Sequence, residues 1–154
     1  MSEAILFLGR SHLLLVHFPI GMMILALIFQ RMGRRPKNAV FRTVIPTTLL
    51  ISSSIAVLAC ITGFILVRKG DYPGQALFWH QWLGILVAVL GIVAWRFSGH
   101  SPGSWQINVW RNFIAVALFV LLLLTGYLGS TITHGRGYLW EKQATEEVLP
   151  SPEQ

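Results

Sequence analysis

Apolar residues form four long runs in this chain, and short polar segments separate the runs. The runs cover about residues 11–30, 44–67, 79–95 and 112–133, and none of them contains an Asp or Glu. A membrane-spanning helix needs about 20 mostly apolar residues to cross a hydrocarbon core of about 30 Å. The pattern therefore predicts an all-α fold in which residues 1–140 form one domain, a bundle of four transmembrane helices. No sequence repeat of 20 to 50 residues is apparent.

The composition indicates the solvent in which these helices fold. Of the 154 residues, 54% are hydrophobic and only 12% are charged, and the mean hydropathy is +0.62. Soluble domains carry about 25% charged residues, so a lipid bilayer is the expected environment. The last segment, residues 141–154, is polar and acidic, and it is predicted to be a flexible tail.

Basic residues are unevenly divided between the two predicted membrane faces. Four spans place both termini and the segment around 68–78 on one face, and the segments around 31–43 and 96–111 on the other. The second face carries no acidic residue and seven basic ones: Arg31, Arg34, Arg35, Lys37, Arg42, Arg96 and Arg111. Excess Lys and Arg marks the cytoplasmic side. We therefore expect a multi-pass protein of the bacterial inner membrane with both termini periplasmic, and no nucleic-acid partner.

Four of the five histidines are predicted at the periplasmic end of the bundle. His12 and His17 lie near the start of the first run, His80 begins the third, and His134 follows the fourth. An ionisable group inside an apolar run is by default a functional hypothesis. His17, His80 and His134, on three separate helices, are therefore expected to share a site. For each histidine taken alone, and above all for the outermost, His12, the alternative is an interfacial residue bonded to a headgroup or a carbonyl. His12 completes the set of candidate metal ligands.

The local sequence around the first two histidines constrains which of them can share a ligand. His12 and His17 are five residues apart, so on a regular helix their side chains point about 140° away from each other. Pro19 removes a backbone donor and frees the carbonyl of Leu15, which favours a kink below His17. Ser11 is predicted to cap the start of this helix.

Small residues accompany the histidines at helical spacing. Gly21 and Gly84 each follow a histidine by four residues, and Gly126 and Ser130 precede His134 on the fourth helix. Residues four apart share a helix face. Small residues usually permit close approach of membrane helices, and here they are also candidates for making room for a flat cofactor.

The stretches "LGRSHLLLVHFPIGM", "HQWLG" and "GYLGSTITHGRGY" together resemble a bacterial family of four-helix membrane proteins catalogued as domain of unknown function 2231. The resemblance covers residues 9 to about 138, with Leu13 standing where a proline often follows the first histidine. Some members of that family are fused to, or encoded beside, c-type cytochrome modules. The resemblance therefore implies electron transfer on the outer side, with a c-type cytochrome or another subunit of a respiratory complex as partner.

Three functions are compatible with these residues. The first is a cytochrome b-like redox protein in which two of His17, His80 and His134 bind a b-type haem. The second is a zinc or copper site held by imidazoles without a porphyrin. The third is a non-catalytic accessory or assembly subunit whose histidines and glycines only organise packing. The sequence contains no nucleophile triad, phosphate-binding glycine loop or paired carboxylates, so we do not expect an independent enzyme.

Overall fold

The four predicted helices are present in the structure, a computed structural model that describes residues 3–34, 40–68, 74–98 and 105–135. All regular secondary structure within these ranges is α-helical. Four stretches are long and apolar enough to cross a membrane, which confirms the predicted fold class. The first span is Glu3–Met32, and it consists of the helical segments Glu3–Arg10, His12–Leu15 and His17–Met32. The second, third and fourth spans are the helices Phe41–Val67, Gly74–Ser98 and Trp105–His134.

The first span begins eight residues earlier than the apolar run predicted. Ser11, the expected N-cap, has helical backbone angles and makes no capping hydrogen bond. Its hydroxyl instead donates to the carbonyl oxygen of Leu8 at 2.7 Å, a local bond that serine readily makes inside a helix. The helix continues outward because the preceding residues, from Ala4 to Leu8, are themselves apolar.

The backbone around Pro19 stays helical. Pro19 is buried inside the segment His17–Met32, and the next backbone bond, from the amide of Ile20 to the carbonyl of Val16, is long at 3.4 Å. Regular helix is interrupted at Ser11 and at Val16, and both residues keep helical backbone angles. The missing N–H of Pro19 therefore weakens the helical hydrogen bonds locally, while the backbone of the first span stays helical.

Successive spans run in opposite directions, so the bundle has two ends. We call the end at which the first and third spans begin the histidine end, and the opposite end the arginine end. At the arginine end the first and fourth spans are joined by side chains. Gln30 Nε2 donates to the carbonyl of Arg111 at 3.3 Å, and Arg34 donates to Asn112 Oδ1.

Small and apolar side chains fill the centre of the bundle. The largest buried cluster contains residues of all four spans: Met23, Ala56, Val87, Ala88, Leu118 and Leu122. Gly91 lies where three spans meet, since a Cβ built there would lie 2.6 Å from Ser53 Oγ and 2.8 Å from Met23 Cε. Close approach through small residues is how membrane helices gain packing energy when lipid is as apolar as the core. Gly91 therefore allows the first, second and third spans to approach closely.

Large apolar side chains cover the outside of the bundle. Phe113 is 64% exposed and Val116 is 63% exposed, and many other aromatic and aliphatic side chains on all four spans are similarly uncovered. An apolar exterior of this extent is suited to lipid and would be unstable in water. The predicted tail, residues 141–154, and His100 lie outside the described residues.

Candidate functional site

Two imidazoles meet at the histidine end of the bundle. The ring centroids of His12, on the first span, and His80, on the third, are 6.4 Å apart, and the two ring planes are perpendicular. Both side chains are half-buried. The pair therefore lies between two spans that are not consecutive in the chain.

His12 is fixed by the second span. Its Nδ1 lies 2.8 Å from the carbonyl oxygen of Ala59, and its ring rests against Gly63. A Cβ on Gly63 would lie 2.9 Å from His12 Cε1 and 3.1 Å from Nδ1, a separation that real Cβ contacts do not tolerate. Only glycine at this position leaves room for the ring beside the helix backbone.

His80 is fixed by the fourth span in a similar way. Its Nδ1 lies 3.0 Å from the carbonyl oxygen of Thr125. A Cβ on Gly129 would lie 3.2 Å from His80 Cε1. The carbonyl oxygen and the glycine thus hold this ring from one side, and they belong to one turn of one helix.

The same set of contacts holds a histidine in each half of the chain. In each half, a histidine near the start of one span contacts a carbonyl and a glycine four residues apart on the next span: Ala59 with Gly63, and Thr125 with Gly129. The histidines are 68 positions apart and the glycines 66. The first and second spans therefore form one helical hairpin, the third and fourth form an equivalent one, and the imidazole pair lies between the two hairpins.

The hydrogen bonds set the protonation of each ring. A carbonyl oxygen only accepts, so Nδ1 of His12 and Nδ1 of His80 must both donate. In a neutral imidazole, Nε2 then carries the lone pair. Histidines that ligate metals usually donate their other ring nitrogen to a carbonyl or carboxylate in this way. Both rings consequently have the tautomer and the orienting partner of a metal-ligating histidine.

The other two candidate histidines lie on exposed surface. His17 is exposed, and its Nδ1 bonds to the carbonyl oxygen of Leu13, four residues earlier, at 2.7 Å. Because His12 and His17 are five positions apart on the helix, the inward placement of one turns the other away. His134 is exposed at the last residue of the fourth span. The structure thus brings together His12 and His80, and among the described residues no third His, Cys, Asp or Glu joins them in a group that could hold a metal ion.

The four small residues that were candidates for cofactor contact have different surroundings. Gly21 and Gly126 are exposed, and a Cβ on either would meet no atom within 4 Å. Gly84 and Ser130 are half-buried, and a Cβ on Gly84 would lie 3.9 Å from Cys60 Sγ. The glycines in contact with the imidazoles are Gly63 and Gly129 instead.

The donor set of the site contains two side chains. Among the described residues, no group of three or more His, Cys, Asp or Glu lies close enough to hold a metal ion. Cys60 is a free, half-buried thiol that packs against the central apolar cluster. Within the described part of the chain, the two imidazoles are therefore the candidate ligands for a cofactor at this end.

Comparison with known proteins yields a family and one curated relative. Inner membrane protein YphA of Escherichia coli (strain K12) is 33% identical to this chain over 79 residues, which are 50% of this chain and 55% of that protein. The match thus spans about half the length of each protein. No solved structure matches the chain. The family profile described as predicted membrane protein, DUF2231, matches residues 11–138, so the chain belongs to the DUF2231 family of predicted membrane proteins.

Proposed function

We propose that this protein is an integral membrane redox protein that binds a b-type haem between His12 and His80. The observation that carries the proposal is the imidazole pair itself. Two rings from two equivalent hairpins lie 6.4 Å apart, and each donates Nδ1–H to a backbone carbonyl. Each ring thereby keeps Nε2 as the nitrogen able to bind a metal.

The number of protein ligands suits a haem. A haem would be held by two side chains, His12 and His80, whose ring centres lie 6.4 Å apart. It would need no further protein ligand, because the porphyrin provides the other nitrogen ligands of the iron. A protein zinc site usually has three or four protein ligands, so the pair alone fits zinc or copper less well.

Each neighbouring residue has a defined part in such a site. The carbonyls of Ala59 and Thr125 hold the rings in orientation and raise the basicity of Nε2. Gly63 and Gly129 let the rings lie close to the helix backbones. A haem held there would supply one-electron redox chemistry, with a potential tuned by its axial ligands and the surrounding apolar shell.

We further propose a place in the cell and a partner. The distribution of basic residues favours an orientation with both termini and the histidine end on the periplasmic side. The relative from Escherichia coli is named an inner membrane protein, and we infer the same membrane for this chain. Electrons would pass to or from a c-type cytochrome or another respiratory subunit, the partner implied by the family resemblance.

The visible spectrum of the purified protein tests the haem proposal. Protein expressed with added haem precursor and purified in mild detergent is expected to show a Soret band, and α bands after dithionite reduction. His12→Ala and His80→Ala should each abolish this spectrum, because each removes one axial ligand. His17→Ala and His134→Ala are the matched controls, and they should retain it.

Two results would contradict the proposal. A colourless wild-type protein with one equivalent of zinc or copper would favour the imidazole metal site without porphyrin. A haem spectrum that survives both His12→Ala and His80→Ala, but disappears in His17→Ala or His134→Ala, would assign the ligands to the other histidines.

A second candidate is the accessory subunit, and an exposed apolar face of the third span favours it. Phe78, Trp79 and Trp82 are exposed on this face, and Leu83, Ile85, Leu86 and Val89 lie beside them. A helix of another membrane protein could pack against such a face. A colourless, metal-free protein that co-purifies with a membrane complex, and loses it in Trp82→Ala, would favour this function over electron transfer.

A further inference from the structure

Three arginines from three different spans are gathered at the arginine end. We call Arg34, Arg42 and Arg111 the arginine cluster. Arg34 follows the first span, Arg42 lies in the first turn of the second, and Arg111 lies in the second turn of the fourth. Arg34 donates to the side chain of Asn112, the residue after Arg111, and the side chain of Arg42 packs against Gly33, the residue before Arg34. Arg111 is half-buried, so water screens its charge only in part.

Hydrogen bonds fix the side chains of Arg34 and Arg42 and use only part of their donor capacity. Arg34 donates to Asn112 Oδ1, and Arg42 Nε donates to the carbonyl of Gly33. Gln30 holds the backbone of Arg111. Each guanidinium has five N–H donors in a planar fork. The acceptors in these bonds are neutral amide and carbonyl oxygens, which leave the positive charge of the cluster uncompensated.

The arginine end contains no carboxylate. Glu3 is the single acidic residue among those that the structure describes, and it lies at the histidine end. In the sequence of the two segments that connect spans at the arginine end, residues 35–39 and 99–104, no Asp or Glu occurs either. The part of the chain that the structure describes therefore provides no counter-charge for the cluster.

We propose that the arginine cluster binds the phosphate group of an anionic lipid headgroup. The cluster lies near the ends of three spans, and the ends of transmembrane helices are expected to lie near the lipid headgroups. Guanidinium forks recognise phosphate oxygens through paired, charge-assisted hydrogen bonds. Basic pockets between transmembrane helices bind the headgroups of anionic lipids in this way. A bound phosphate would offset the repulsion among the arginines and link the first, second and fourth spans.

Single-lipid binding to the purified full chain tests this site. The probe is phosphatidylglycerol, added to the protein in a nonionic detergent, and bound lipid is counted by native mass spectrometry. Arg111→Gln is expected to weaken binding of the first lipid about tenfold or more, because it removes charged hydrogen bonds to the phosphate. Arg42→Gln should produce a similar loss. Arg111→Lys, which keeps the charge and loses the fork, should give an intermediate value.

The matched controls are Arg31→Gln and Arg96→Gln, since both residues are exposed at the arginine end and lie outside the cluster. They should change the affinity less than about twofold. Equal losses in the control and cluster variants would show diffuse attraction to surface charge and would overturn the proposal. So would unchanged binding in the correctly folded Arg42→Gln variant. Displacement of the lipid by millimolar inorganic phosphate would assign the site to free phosphate and overturn the lipid assignment.

Discussion

At the scale of single residues, Gly63 controls the position of the His12 ring. Gly63→Ala would place a Cβ 2.9 Å from His12 Cε1, so the ring must move away from the carbonyl of Ala59. Loss of an orienting partner of a metal ligand lowers affinity about 10- to 100-fold. We expect the haem content of Gly63→Ala to fall while the protein still folds. Gly21→Ala should leave the haem content unchanged, because a Cβ there meets nothing within 4 Å.

The placement of His12 shows how far the sequence predicts which histidine points into the bundle. Helical spacing predicts that His12 and His17 cannot both point into the bundle. It does not predict which of them does, because that depends on a gap beside a glycine of another helix. Gly63 lies 51 positions away in the sequence, and nothing local indicates that its backbone accommodates an imidazole. The sequence analysis therefore favoured His17 for the shared site, whereas the structure pairs His12 with His80.

A buried hydroxyl in the second span provides another prediction. Ser53 Oγ is buried and has no hydrogen-bond partner, whereas Ser52 Oγ donates to the carbonyl of Leu49 at 3.1 Å. A buried polar group without a partner costs about 1–3 kcal/mol. We expect Ser53→Ala to raise the free energy of unfolding in mixed micelles by about 1 kcal/mol. Ser52→Ala should give no such gain, and a destabilised Ser53→Ala variant would mean that the hydroxyl has a partner.

At the scale of elements, Gly91 couples three spans. Gly91→Leu would force atoms into the space occupied by Ser53 Oγ and Met23 Cε, and overpacking a core costs about 1–3 kcal/mol. We expect the free energy of unfolding to fall by that amount, while Gly126→Leu, in open space, has little effect. Adding Met23→Ala should restore part of the free energy of unfolding that Gly91→Leu loses, because the shorter side chain leaves space for the leucine. Strictly additive effects would contradict the contact.

The helices themselves were predictable, and their pairing was not. Apolar runs fixed the number of spans because lipid requires a minimum apolar length. The observed helices are longer at several ends, since segments such as Gly74–Phe78 and Trp105–Arg111 contain polar residues that a hydropathy pattern excludes. The equivalence of the two hairpins was invisible in the sequence, because it rests on one histidine, one carbonyl and one glycine per half. Every residue has a backbone carbonyl, so the residue type does not indicate which carbonyl accepts a hydrogen bond from a histidine.

At the scale of the whole molecule, the remaining question is which end of the bundle faces the cytoplasm. Four alternating spans assign the segments 31–43 and 96–111 to the arginine end. In sequence, these segments contain seven basic residues and no acidic one. This bias predicts that the arginine end faces the cytoplasm. The proposed haem site would then be accessible to periplasmic electron carriers, and the arginine cluster would meet the anionic lipids of the inner leaflet.

Reporter fusions measure that orientation directly. Alkaline phosphatase, which is active only outside the cytoplasm, should be active when fused after Gln154 or inserted near Asp71, and inactive when inserted near Lys37. A green fluorescent protein fusion should give the opposite pattern. Adding basic residues to the 68–78 segment, while removing Arg31, Arg34 and Arg35, should weaken this preference, because the charge difference sets the insertion direction. A phosphatase that is inactive after Gln154 and active near Lys37 would reverse the orientation. The imidazole pair would then face the cytoplasm, where a periplasmic cytochrome cannot reach it.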